Sequence, residues 1–183
     1  MKKTIIYLIF FIFFYFPSNS YSEVKKIYEG NYEAKIRLIV YESLTCWHCA
    51  NFHNEIYPEL KKDFLDKGLV RIEFRNFPLD MAALNASKIV HCQNDGSSKI
   101  LHFLYKNQKK WVKGDTVEEI NSHLRKLVED SNFKLNFTNC LDNKKIEDHI
   151  LEDRVEGVKK FEINSTPTLI INNKKFDKPL NYK

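Results

Sequence analysis

The stretch SLTCWHCANFH, Ser43 to His53, sets two cysteines three residues apart, with a tryptophan and a histidine between them. It follows directly on KIRLIVYES, a β-branched, apolar run that predicts a buried strand over 36–42. From Cys46 the positions Ala50, Phe52, Ile56, Leu60 and Phe64 suit a helix to about residue 66, with a bend at Pro58. Gly68 punctuates, and LVRIEFRNF then alternates as a second strand. The order strand, cysteine pair, helix, strand is a βαβ unit with Cys46 at the helix N-terminus.

Outward from this unit, residues 23–34 are polar and read as an irregular or edge segment. Residues 79–162 are almost wholly helical in pattern: DMAALNASKIVHCQ is one helix and SKILHFLYKNQKKW another. TVEEINSHLRKLVED follows and opens on the capping box Thr116-x-x-Glu119, and FTNCLDN and KKIEDHILEDRVEGVKKFE complete the set. After INSTPT the chain returns to LIIN, an apolar strand; NNKK is a hairpin turn and FDKPL a short edge strand. Trp111 and the phenylalanines Phe64, Phe74, Phe77 and Phe103 suit core positions. The predicted class is α/β: a βαβ unit, an inserted helical subdomain, then a β-hairpin. The expected units are 1–22, 23–78, 79–162 and 163–183.

The first unit is a leader. Lys2 and Lys3 precede 12 apolar residues from Ile5 to Phe16, Pro17 breaks the run, and Ser20-Tyr21-Ser22 gives the small-x-small pattern of a secretory cleavage site, after Ser22 or Ser20. The run is short of the roughly 20 residues a spanning helix needs; the alternative is an uncleaved anchor. Cleavage removes two lysines, so the formal charge falls from +5 to +3. Lysines and acids are interspersed, and no block of like charge points to nucleic acid. Four cysteines remain: Cys46, Cys49, Cys92 and Cys140. An oxidising compartment favours disulfides. Three pairings are open; adjacency favours Cys46–Cys49 and leaves Cys92–Cys140, or two buried free thiols.

A helix N-terminus carries partial positive charge and unpaired N–H groups, so a thiolate at Cys46 is stabilised. Cys46 is the expected nucleophile and Cys49, one turn on, the buried resolving thiol. A protonated His48 would add positive charge. A stabilised thiolate favours the dithiol, which makes the disulfide a stronger oxidant. An inert staple is the plain alternative, although so short a loop gains little chain-entropy stabilisation. Metal would need at least three ligands; Cys46, Cys49 and His53 are the candidates, with no second cluster, and we expect none. A c-type haem fails because Ala50, not histidine, follows Cys49. His91, His102, His123 and His149 show no ligand spacing and read as surface or core residues.

In order and spacing, SLTCWHCANFH, RIEFRNFPLD and INSTPTLIIN resemble the DsbA family of secreted bacterial thiol:disulfide oxidoreductases, over most of the chain after the leader. The resemblance implies a thioredoxin-like fold with an inserted helical subdomain and no cofactor. By position, Cys46 matches the nucleophile, Cys49 the resolving cysteine and His48 the activating histidine. Pro167 after Thr166 matches the family's cis-proline, which would turn the Thr166 backbone toward Cys46 to pair with an extended substrate. Related members with a second pair bridge helices in the subdomain, which fits Cys92–Cys140; closing a loop of that length stabilises by about 4 kcal/mol.

Three departures stand out. Trp47 occupies a position where relatives often have proline, and offers an aromatic surface for substrate. Val40 stands where many relatives carry an acid, and Glu42, on the same strand face, is the candidate for proton handling near Cys49, against a solvent-facing role. Relatives usually end with a helix after the hairpin, whereas this sequence stops at LNYK: either the helix is lost or the sequence is incomplete. The expected activity is disulfide donation to reduced exported proteins in the periplasm, with reoxidation by a quinone-linked membrane partner. The alternatives are a disulfide isomerase or reductase of the same compartment, and a non-catalytic module that binds extended chains and keeps the CxxC as a staple.

Overall fold

The computed structural model describes residues 23–180, so the predicted leader lies outside the described residues. Five strands form one sheet in the order β1-β3-β2-β4-β5: β1 (Ile27–Gly30), β2 (Ile36–Glu42), β3 (Val70–Asn76), β4 (Thr168–Ile171) and β5 (Lys174–Lys175). β2 and β3 are parallel, as the βαβ reading requires, and the other pairs are antiparallel. The polar N-terminal segment supplies the edge strand β1. Tyr41 pairs with Thr168, so the turn before β4 stands beside the end of β2.

Helix α1 spans 47–65. Its α-helical turns, Trp47–Asn51 and Tyr57–Leu60, alternate with wider π-helical turns, Phe52–Ile56 and Lys61–Leu65. Pro58 has no N–H to give and its ring would clash with the carbonyl four residues back, so the chain widens just before it. Each widened turn adds a residue to the helical phase. This overturns the expectation for Phe64, which is 38% exposed, while Leu65 takes the inward place.

Between β3 and β4 the chain is helical. The elements are α2 (Met81–His91), α3 (Lys99–Lys106), α4 (Gln108–Trp111), α5 (Val117–Glu129), α6 (Phe137–Leu141) and α7 (Lys144–Phe161). The single helix read from SKILHFLYKNQKKW is broken at Asn107, whose side-chain amide donates to the Phe103 carbonyl (2.9 Å) and so competes with the backbone. Both halves of the Thr116–Glu119 capping box form. Trp111 is fully buried and donates its indole N–H to Leu104. Cys92 at the end of α2 is bonded to Cys140 in α6.

The strand alternation divides the interior in two. Leu38 and Val40 face the main core with α1 and the helical insertion, while Tyr41 on the opposite face packs with Phe77, Phe161, Ile163 and Ile170. Helix α7 covers that second face and comes close because it carries Gly157 there: a Cβ would sit 2.9 Å from the Tyr41 ring. Asn172 and Asn173 both take left-handed φ (46° and 66°), the geometry of a two-residue hairpin turn. The turn therefore closes before Lys174, and β5 is Lys174–Lys175 rather than the expected FDKPL. Beyond Phe176, Pro179 cannot donate to a ladder, and the segment is not strand.

Candidate active site

The site forms where β2 ends and α1 begins. The Cys46 N–H donates to the Ser43 carbonyl (3.0 Å), and Cys46 becomes the N-cap of α1 in an extended conformation. No side chain caps this end. The loop is held by its neighbours instead. Gln108 donates to the carbonyls of Leu44 (2.8 Å) and Cys46 (2.9 Å), and the Thr45 hydroxyl donates to Asp80 (2.6 Å). Asp80 in turn caps α2 through the Ala83 N–H.

Cys46 and Cys49 are free thiols, the first partly buried and the second fully buried. Their environments push them in opposite directions. The Cys49 thiol donates toward the Cys46 sulfur, and the Thr166 hydroxyl and the backbone N–H groups of Cys49 and His48 add to it. Together they outweigh burial and hold Cys46 at about 5. Cys49 is pushed well up, first by burial and then by Cys46 and Glu42. His48 thus reaches the sulfur through its backbone, while its imidazole lies against the Trp47 ring at 3.8 Å. Trp47 itself is 59% exposed.

The Thr166–Pro167 peptide is cis, and the Cys46 thiol donates to the Thr166 carbonyl (3.3 Å). A groove of about 610 Å3 runs beside this contact, lined by His48, Phe52, Ile56, Thr166, Pro167 and Leu180 among others.

Beneath the cysteines lies Glu42, on the Val40 face of β2 and only 5% exposed, not facing solvent. Burial and then the nearby Cys46 raise its carboxyl well above the ordinary range. Its Oε2 is 2.6 Å from Nε2 of His53, whose Nδ1 is 3.0 Å from Nδ1 of His102. Nε2 of His102 is 2.6 Å from Oε1 of Glu29, and Tyr57 donates to the other Glu29 oxygen. The Tyr105 ring stacks on His53 at 4.0 Å, and its hydroxyl abuts the Cys49 thiol. Both ring nitrogens of His53 are thereby engaged. Among the described residues, no three His, Cys, Asp or Glu side chains converge in a metal-holding arrangement.

The structure thus brings Cys46, Cys49, Trp47, His48, Thr166, Pro167 and Glu42 to one place. The sequence reading missed Gln108, Tyr105, His102 and Glu29. His53 stands four residues after Cys49 and so on its inward face, which is a usable signal. Nothing in the sequence ties α3 or β1 to that face.

A family model described as Thioredoxin matches residues 22–183. The crystal structure of Wolbachia pipientis alpha-DsbA1 superposes with a TM-score of 0.72 and 30% identity, covering 84% of this chain and 79% of that one. Oxidised BdbD from Bacillus subtilis, at 23% identity and a TM-score of 0.63, covers 84% of each and shares the fold. A relative from Rickettsia bellii, named for protein-disulfide oxidoreductase activity, is 29% identical over 147 residues, 78% of this chain and 55% of the relative. The chain spans about half the length of the rickettsial relatives it matches. The chain belongs to the thioredoxin family, in its DsbA-like branch.

Proposed function

We propose that this chain is a thiol:disulfide oxidoreductase that introduces disulfides into reduced exported proteins. The observation that supports it is the opposite displacement of two thiols one helical turn apart: Cys46 low and accessible, Cys49 high and buried. A stabilised Cys46 thiolate favours the dithiol, so the disulfide gives up its oxidising equivalents readily. Substrate thiolate attacks Cys46, the Cys46–Cys49 bond breaks, and Cys49 leaves with the electron pair. A second substrate thiol then displaces Cys46, leaving a substrate disulfide and the enzyme dithiol.

In this reading Trp47 and the groove beside Pro167 receive the substrate chain, and the Thr166 backbone pairs with it. His48 supports the thiolate and Glu42 exchanges the Cys49 proton. Residues 1–22 direct export to the periplasm, and Cys92–Cys140 is a structural bond. A quinone-linked membrane protein reoxidises the dithiol. Among the described residues no helix is long and apolar enough to cross a membrane.

The test mixes the Cys46–Cys49 disulfide form with a reduced two-cysteine peptide. Stoichiometric peptide disulfide and enzyme dithiol support the reading. A pair that stays oxidised beside unreacted peptide makes the CxxC a staple.

A further inference from the structure

Glu42 is sealed from water, so any proton it exchanges with Cys49 must come from elsewhere. The described groups around it are Cys46, Cys49 and His53 from α1, and His102 and Tyr105 from α3. Apart from Cys46, which is partly exposed and meets the substrate, His102 is the most exposed of these: it and His53 both line an outer cleft, but the His53 side chain is only 1% exposed. The His102 side chain is 27% exposed, and the cleft also holds Lys61, Asp66 and Lys106. On its far side stands Glu29 of β1, itself bonded to Tyr57.

We propose that His53, His102 and Glu29 form a proton relay joining Glu42, and through it Cys49, to the solvent cleft at His102. This rests on the oxidoreductase reading and names the residues that would serve it.

The contact geometry constrains the proton positions. Glu29 is an acceptor at both oxygens: burial alone would raise it, but hydrogen bonds from His102, Ser98 and Tyr57 outweigh burial and hold it at about 2. His102 must therefore donate from Nε2. With His53 kept neutral by its burial, two arrangements give each of the three short contacts one donor and one acceptor. In the first, protonated Glu42 donates to Nε2 of His53, and Nδ1 of His53 donates to Nδ1 of a neutral His102. In the second, Glu42 is a carboxylate accepting from Nε2 of His53, and Nδ1 of His53 accepts from a doubly protonated His102. The two hold the same number of protons. They differ by a concerted shift that moves one unit of charge from the edge of the cleft to the carboxyl beneath the cysteines. His53 is neutral in both, in keeping with the burial that pushes it well below its ordinary range.

The sulfur step balances through this shift. When substrate sulfur bonds to Cys46, Cys49 departs as a thiolate holding the pair from the broken S–S bond. It takes the proton from Glu42. His53 then exchanges tautomer, so that its Nε2–H donates to the Glu42 carboxylate and its bare Nδ1 faces His102. Nδ1 of His102 takes one proton from water, which gives the second arrangement. Reoxidation runs the shift backward and releases a proton to the cleft. These residues do not touch the reacting sulfurs; they position and resupply the group that does.

The test is at the outer end, where substitution least disturbs the core. His102→Gln and His102→Ala are compared with the native protein by stopped-flow oxidation of a reduced peptide between pH 5 and 8. The Cys46 thiolate titration and the equilibrium with glutathione are measured alongside. The relay predicts unchanged thiolate titration and equilibrium, but exchange slowed about tenfold or more with an altered pH profile. Imidazole added to His102→Ala restores the rate, and sodium chloride at equal ionic strength does not. Native rates and pH profile in both variants would overturn the relay, as would a slow His102→Ala that imidazole fails to restore. Native protein that oxidises no peptide would overturn the oxidoreductase reading itself; active native protein with indifferent variants removes the relay alone.

Discussion

The Cys46 sulfur and the Thr166 carbonyl oxygen lie 3.3 Å apart although 120 residues separate them in sequence. The antiparallel pairing of β2 with β4 makes this meeting possible, because it sets the turn before Thr168 beside the end of β2. The Thr166 side chain also counts. Its hydroxyl is buried beside the sulfur and is among the groups that lower Cys46. Thr166→Val keeps the shape and removes that donor. The Cys46 thiolate titration, followed at 240 nm, should move up by roughly one unit, worth about 1.4 kcal/mol. The dithiol should lose stability relative to the disulfide in the same measure, making the variant a weaker oxidant.

A second expectation concerns pH. A cysteine in an unfolded chain titrates near 8.5, whereas Cys46 in the folded dithiol is at about 5. A depressed acid adds stability that is complete above the unfolded value and gone below the folded one. The contribution to the reduced form should therefore grow from pH 5 to about 8.5. Cys49, pushed up by burial, opposes it only above that range, where the unfolded thiol ionises and the folded one does not. Urea unfolding of reduced and oxidised protein at pH 5, 6, 7 and 8 checks this: reduced-minus-oxidised stability rises at each step. A flat difference would mean that Cys46 is not held low.

Gln108 is the third case. Its one amide satisfies two carbonyls of the active-site loop. Gln108→Ala leaves both without this donor and should cost about 1–3 kcal/mol. Because Cys46 owns one of those carbonyls, the variant should also show a changed thiolate titration. Denaturant midpoints together with absorbance at 240 nm separate the two effects.

The Cys92–Cys140 bond belongs to the helical insertion and stands apart from the groups that shift Cys46. Replacing both cysteines by alanine should cost about 4 kcal/mol on the chain-entropy argument. The Cys46–Cys49 equilibrium with glutathione should stay where it is. A large change there would show that the insertion tunes the site through this bond.

How far the sequence could be read follows from which interactions are local. The strand before Cys46, the helix after it and the parallel partner β3 rest on periodicity, and all three formed within a residue or two of expectation. The Thr116–Glu119 box is a contact three residues long and was equally legible. Phe64 was misplaced because a widened turn shifts helical phase, and no 3.6-residue count registers it. The break at Asn107 came from a side chain bonding one turn back. Glu42 could be placed on the Val40 face from strand alternation alone. His102, which reaches Glu42 only through His53, could not be placed, because α3 meets β1 and α1 only in the folded chain. The same holds for Gln108, whose role depends on how the insertion docks on the loop.

The central claim is that the Cys46–Cys49 disulfide is an oxidant. Its most direct test is the equilibrium of that pair with glutathione, with Cys92–Cys140 left intact. A potential near the −120 mV of strong disulfide donors is predicted. A potential near −270 mV, the range of thioredoxin, would contradict it and make the protein a reductant or isomerase built on the same site.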